Sequence, residues 1–189
     1  FAVSPDGRSI AFVAKPDSSG AASLFIRPVA GVASVRLAGT DNAAQPFWSP
    51  DSQFIAYVSG GKLKKVSAAG GAPQDLCDAP DASGGAWSPD QGGTIVFGSP
   101  KGLFTVSAEG GKAAPLTELA QGETGHFWPS VLPDGRHVVY LAWSEDAANR
   151  VLYAGTLGSK ERTRLVAMES NPVYAPGYLF FHRKATLFA

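Results

Sequence analysis

The chain has 189 residues, 44% hydrophobic and 17% charged, which excludes a disordered segment and is enough to bury a core. Sixteen basic and sixteen acidic residues balance to zero, so there is no electrostatic footprint for nucleic acid or anionic lipid. Cys77 is the single cysteine, which excludes an intramolecular disulfide and a zinc-type cluster.

Glycine and proline together make up roughly a fifth of the chain, which points to many short elements joined by tight turns. In chain order the first such turn is Ser4-Pro5-Asp6-Gly7, and it recurs as Ser49-Pro50-Asp51-Ser52, Ser88-Pro89-Asp90-Gln91 and Leu132-Pro133-Asp134-Gly135. The prolines stand 45, 39 and 44 residues apart, and a degenerate Ala175-Pro176-Gly177 follows after 43 more. Pro16-Asp17 and Pro80-Asp81 fall out of phase and lack the flanking pattern.

Each in-phase copy is preceded by an apolar or aromatic residue: Val3, Trp48, Trp87, Val131 and Tyr174. Each is followed by a β-rich run: Ile10-Ala11-Phe12, Ile55-Ala56-Tyr57, Ile95-Val96-Phe97, Val138-Val139-Tyr140 and Leu179-Phe180-Phe181. Proline presets φ at the second turn position, aspartate bonds the backbone that follows it, and glycine supplies the left-handed site where present. Pro5, Asp6, Pro50, Asp51, Pro89, Asp90, Pro133 and Asp134 are therefore structural turn residues.

A second hairpin follows each complete first one, as from Leu24 to Leu37, Leu63 to Leu76, Leu103 to Leu116 and Val151 to Leu165. Four strands in about 43 residues is the content of a β-propeller blade. The fold class is all-β, a propeller of four-stranded antiparallel blades at about 1–41, 42–81, 82–123 and 124–168, with a partial fifth at 169–189. Because propellers close with four to eight blades, the expectation is a single partial propeller domain, a fragment of a six- or seven-bladed ring with exposed edges.

The aromatic-Ser-Pro-Asp turn followed by Ile-Ala-Tyr or Ile-Ala-Phe resembles the TolB-like propeller repeat, a WD-like repeat marked by Ser-Pro-Asp-Gly. The phrase from Phe127 to His137, with Tyr174 to Phe181, is similar to propeller segments C-terminal to a kinase domain in bacterial serine/threonine kinases. That resemblance implies a non-catalytic module that binds a protein or small ligand, placed outside the cytoplasm as a kinase sensor. No kinase motif occurs in these residues. The alternatives are a propeller attached to a prolyl-oligopeptidase-like serine peptidase and a propeller that itself cleaves polysaccharide.

Candidate chemistry is sparse. His126 precedes the first strand of the fourth repeat, His137 opens its second strand and His182 ends the second strand of the fifth, which does not bring them together on a metal. No Gly-x-Ser-x-Gly elbow is present, and the aspartates recur once per blade on separate turns. No catalytic residue, metal or cofactor is expected, nor a membrane-spanning stretch. Trp48 and Trp87 occupy the repeat position and belong to the core. Lys62, Lys64 and Lys65, like Arg162 and Arg164, read as charges that blunt an outer strand. The non-repeated loop from Glu118 to Phe127 is the expected binding element, with Glu123, His126, Phe127 and Trp128 as ligand-binding candidates.

Overall fold

In the computed structural model the described residues are 1–15, 20–89, 93–168, 170–175, 177–183 and 186–189. Asp90 and Pro176, assigned above to turns, and Pro16-Asp17 lie outside them. The chain divides into two compact units, residues 1–82 with 106–112 and residues 83–105 with 113–189.

The first unit contains two four-stranded antiparallel sheets in meander order. One is β1 (Ala2–Val3), β2 (Ser9–Ala14), β3 (Ser23–Pro28) and β4 (Val35–Arg36); the other is β5 (Ala44–Trp48), β6 (Phe54–Ser59), β7 (Lys62–Ser67) and β8 (Gln74–Asp78). Their apolar faces meet in one cluster of Ala11, Leu24, Leu37, Ala43, Trp48, Ile55, Tyr57 and Val66. Trp48 is buried there and its indole N–H donates to Ala2 O at 3.0 Å, so the repeat-position aromatic ties one sheet to the next.

The strands β9 (Gly85–Trp87), β10 (Thr94–Ser99), β11 (Gly102–Ser107) and β12 (Ala114–Pro115) form the third set, and β13 (Gly125–Val131), β14 (His137–Trp143), β15 (Val151–Thr156) and β16 (Arg162–Ala167) the fourth. A single pairing, Ser99 with His126, joins β10 to β13. A partial set follows with β17 (Val173–Ala175), β18 (Tyr178–Arg183) and β19 (Thr186–Phe188). In the second unit one cluster packs Val96, Leu103, Leu116, Val138 and Tyr140, and another packs Val139, Leu141, Leu152 and Met168 with Trp128, Leu179 and Phe181 beside them.

The Ser-Pro-Asp turns show why the motif repeats. Ser49 Oγ donates to Asp51 Oδ1 at 2.6 Å, the Gln53 amide donates to the same oxygen at 2.9 Å, and the Phe54 amide donates to Ser49 Oγ at 2.8 Å. Ser4 and Asp6 repeat this arrangement with the Arg8 and Ser9 amides. These bonds, that from Ser49 or Ser4 first, hold both carboxyls below their ordinary pKa. In the fourth set Leu132 replaces the serine, and His137 Nδ1 takes the second oxygen of Asp134 instead.

Three sequence expectations need correction. Lys62, Lys64 and Lys65 lie on β7, which is hydrogen-bonded on both sides, so they blunt no edge. Lys62 and Lys64 both pair with Asp75, and buried Lys65 pairs with Glu109 at 3.2 Å. His126 lies within β13 rather than before it. Arg162 is on an outer strand, but its guanidinium turns inward.

Candidate functional site

The four proposed ligand-binding residues occupy the loop between β12 and β13 and the start of β13. Aligned on the turn prolines, His126 stands seven residues before Pro133, where the two preceding copies carry Ala43 and Ala82. The connection from Leu116 to His126 spans ten steps, against six from Leu37 to Ala43 and six from Leu76 to Ala82. A four-residue insertion and an alanine-to-histidine change therefore occur together.

The insertion supplies the partner for the histidine. Thr117 Oγ1 accepts from the Leu103 amide at 2.8 Å and lies 2.6 Å from His126 Nδ1. Glu123 Oε2 lies 3.0 Å from His126 Nε2 and accepts from the Ala120 amide at 2.7 Å. Arg162 grips both carboxylate oxygens, with Nη2 at 2.8 Å from Oε1 and Nη1 at 3.1 Å from Oε2. The guanidinium also stacks on Tyr153, with Cζ 4.1 Å from the ring centre. Tyr140 packs its ring 4.8 Å from the imidazole, and its buried hydroxyl lies beside the Arg162 guanidinium.

Protonation follows from these contacts. Burial alone would raise the Glu123 pKa, but the Arg162 guanidinium, the Ala120 amide and the imidazole outweigh it and hold the carboxyl below its ordinary value. Glu123 is therefore an acceptor at both oxygens, so His126 Nε2 carries the hydrogen and Nδ1 accepts the Thr117 hydroxyl hydrogen. Burial lowers the His126 pKa, the Glu123 bond opposes this and the Arg162 charge reinforces it; the net shift is downward. The imidazole, at 0% exposure, is neutral and each of its nitrogens has a partner.

Phe127 and Trp128 face other surroundings. Both are half-buried, their rings 5.7 Å apart, and Trp128 meets Trp143 edge-on at 5.9 Å. Arg150 caps Trp143 with Cζ at 3.6 Å, and its Nε donates to Ser144 O at 2.8 Å. Trp128 has φ +48°, a left-handed conformation that is costly for a bulky residue. Gln45 and Gly84, likewise five residues before their turn prolines, are also left-handed, at +53° and +74°. In β5 and β13 this residue and the proline after it form a bulge against the next strand. A Cβ on Gly84 would lie 2.8 Å from Trp128 Cδ1, and one on Gly98 would lie 2.6 Å from His126 O, so both glycines allow β13 its position.

The four candidates thus divide into an inward polar pair, Glu123 in the loop and His126 on β13, and a half-buried aromatic pair that follows on β13. Sequence reading missed Arg162, Thr117, Tyr140 and Tyr153. The coincidence of insertion and buried histidine was the signal that could have found them. An open groove of about 450 Å³, lined by His137, Gly155, Thr156, Glu161 and Thr163, adjoins the cluster and shares Arg162 with it. Among the described residues no three His, Cys, Asp or Glu side chains converge as metal ligands, and no helix is long and apolar enough to cross a membrane.

No family model matches the chain. It is similar to the "Uncharacterized peptidase YuxL" of Bacillus subtilis, 29% identical over 141 residues, which is 74% of this chain and 21% of that protein. Among solved structures, TolB from Acinetobacter baumannii superposes with a TM-score of 0.72 at 13% identity, covering 95% of this chain and 47% of that one. The β-propeller domain of the Trilobed protease from Pyrococcus furiosus gives 0.63 at 13% identity, covering 96% and 62%. The chain therefore spans about half the length of the TolB structure and a fifth of the peptidase. With its four-stranded antiparallel sheets repeated on the Ser-Pro-Asp turn, it has the fold of a TolB-like β-propeller.

Proposed function

We propose that this chain is a non-catalytic recognition module, a run of blades within one propeller domain, that presents the 118–124 loop and the Phe127–Trp128 pair to a protein or small ligand. The supporting observation is how the buried cluster around Glu123 and His126 uses its groups. Both nitrogens of His126 and both oxygens of Glu123 are engaged within the chain, which makes them anchors for a loop rather than a base and nucleophile open to substrate. The loop they anchor departs from the repeat, and in a repetitive scaffold recognition concentrates at such departures.

Chemistry in this reading belongs to another part of a longer protein. A serine peptidase is the favoured host, supported by the alignment with a peptidase-named relative and by the likeness to a protease propeller. A serine/threonine kinase sensor is the second, supported by the resemblance of the phrase from Phe127 to His137, and it carries an extracytoplasmic location with it. Two measurements test the proposal. The purified chain is expected to turn over no chromogenic ester, peptide or polygalacturonate substrate; turnover lost on substitution of residues in this chain overturns the non-catalytic reading. A Gly-x-Ser-x-Gly motif in the flanking reading frame assigns the peptidase host, and kinase motifs with an apolar span upstream assign the kinase host.

A further inference from the structure

We propose that Thr117, Glu123, His126 and Arg162 form a proton-sensitive latch that holds the 118–124 loop against the β15–β16 hairpin at neutral pH and releases it on acidification. The inference rests on the geometry of the cluster and stands whether or not the loop is the recognition element.

The loop is fixed at several points. The Thr124 amide donates to Trp143 O at 2.8 Å, the Glu123 amide donates to Ala120 O at 3.1 Å, and the Glu123 side chain returns to the Ala120 amide. Two ion pairs join the loop to the far hairpin. Glu118 to Lys160 is exposed on both sides and is worth little, whereas Glu123 to Arg162 is bidentate, with Glu123 10% and Arg162 21% exposed. The inner pair is therefore the grip, and His126 packs directly against it.

The charge count inside the cluster explains the switch. With a neutral imidazole, one carboxylate balances one guanidinium, and Nε2 and Arg162 Nη1, 3.4 Å apart, both donate to Glu123 Oε2. A second proton on the ring places a second cation beside the guanidinium with the same single carboxylate. It also turns Nδ1 into a donor facing the Thr117 hydroxyl, whose oxygen already accepts the Leu103 amide. The other groups around the ring offer no relief: the Tyr140 phenol on β14 is neutral, the Tyr153 ring on β15 is covered by Arg162, and Glu118 and Lys160 neutralise each other outside. Moving the loop away lets water reach the imidazolium and the carboxylate.

The test follows amide hydrogen exchange at Ala120, Glu123 and Thr124 in the full chain, corrected for the intrinsic pH dependence of exchange. At pH 7.5 all three are expected to be protected. Below about pH 6.5 the opening equilibrium of the wild type is expected to rise by up to about tenfold per pH unit, the limit for one proton taken up on opening. His126→Gln, which keeps an amide donor and cannot charge, is expected to lose this rise, while Glu118→Gln retains it. Unchanged protection in the wild type overturns the latch, as does a rise that persists in His126→Gln or disappears in Glu118→Gln. Should His126→Gln fail to fold, the ring nitrogen shifts of wild-type His126 decide: the Nε2–H tautomer at neutral pH, charging only as the three amides open, supports the proposal, and an imidazolium in the closed loop overturns it.

Discussion

Leu37 to Ala43 and Leu116 to His126 each carry the chain from a fourth strand to the next first strand, and they fill the space beneath that crossing with different chemistry. In the first unit Thr40 accepts the Leu24 amide at 3.0 Å and donates to Leu37 O at 2.7 Å, and a buried alanine closes the junction. The ion pair beside this crossing, Arg36 to Asp41, lies at the surface with both side chains about half exposed. In the second unit Thr117 accepts the equivalent amide, from Leu103, and then hands its own hydrogen to an imidazole. The short crossing needs one hydroxyl; the long one buries a carboxylate, a guanidinium and a histidine. Insertion and charge come together at this crossing: Glu123 of the inserted loop is tied to Arg162 and His126.

Exchanging the residues breaks the comparison most severely. Ala43→His places an imidazole in the apolar cluster of the first unit, where the nearby ion pair, Arg36 to Asp41, lies at the surface. Overpacking and an unpaired buried polar group together are expected to cost about 4 kcal/mol, read as a lower denaturation midpoint at unchanged slope. A loss below about 1 kcal/mol would show that the two junctions are interchangeable. Next in size is the contrast between two arginines. Arg162→Met leaves Glu123 buried and unpaired and is expected to cost about 3 kcal/mol, while Arg36→Ala removes an exposed pair and is expected to cost under about 1 kcal/mol. Equal losses in urea unfolding would remove the distinction.

The pH dependence separates the junctions more finely. His126 is depressed in the folded state, so the unfolded chain binds its proton first and stability falls as pH drops through the ordinary imidazole value of about 6.5. Glu123, Asp6, Asp51 and Asp75 are also depressed; their contributions are present above the ordinary carboxyl values near 4 and are lost as pH falls below them. Wild-type stability is therefore expected to begin declining near pH 6.5, and that of His126→Gln only near 4.5. Coincident curves for the two proteins would show that His126 carries no acid sensitivity.

The propeller repeat was legible because its signal is chemical and local: a Ser-Pro-Asp turn bonds residues at most five apart, so it must recur wherever the turn does. The cluster was not, because Arg162 lies 39 residues from Glu123 and its strand position suggested an edge charge. Lys65 misled for the same reason, since its partner Glu109 is 44 residues away and nothing near it announces a carboxylate. His126 was singled out, but as a group facing a ligand. Only the sheet register, which sets it opposite Ser99 and beneath the loop, shows that it is interior.

The smallest expected effect concerns the bulge before each turn. Gln45, exposed and left-handed at φ +53°, occupies the position that the third set fills with Gly84 and the fourth with Trp128. Gln45→Gly removes the steric cost of that conformation but gives back part of it as chain entropy in the unfolded state, so a net stabilisation of up to about 1 kcal/mol is expected. Thermal unfolding of the two proteins measures it, and a loss of stability would mean that the glutamine side chain contributes more than its backbone costs. The same replacement at Trp128 should have the opposite sign, because its ring meets Trp143 and packs against the cluster of Val139, Leu141, Leu152 and Met168. At one backbone position, then, the first unit carries a strain that glycine would relieve, and the second offsets that strain with the packing of a half-buried aromatic ring.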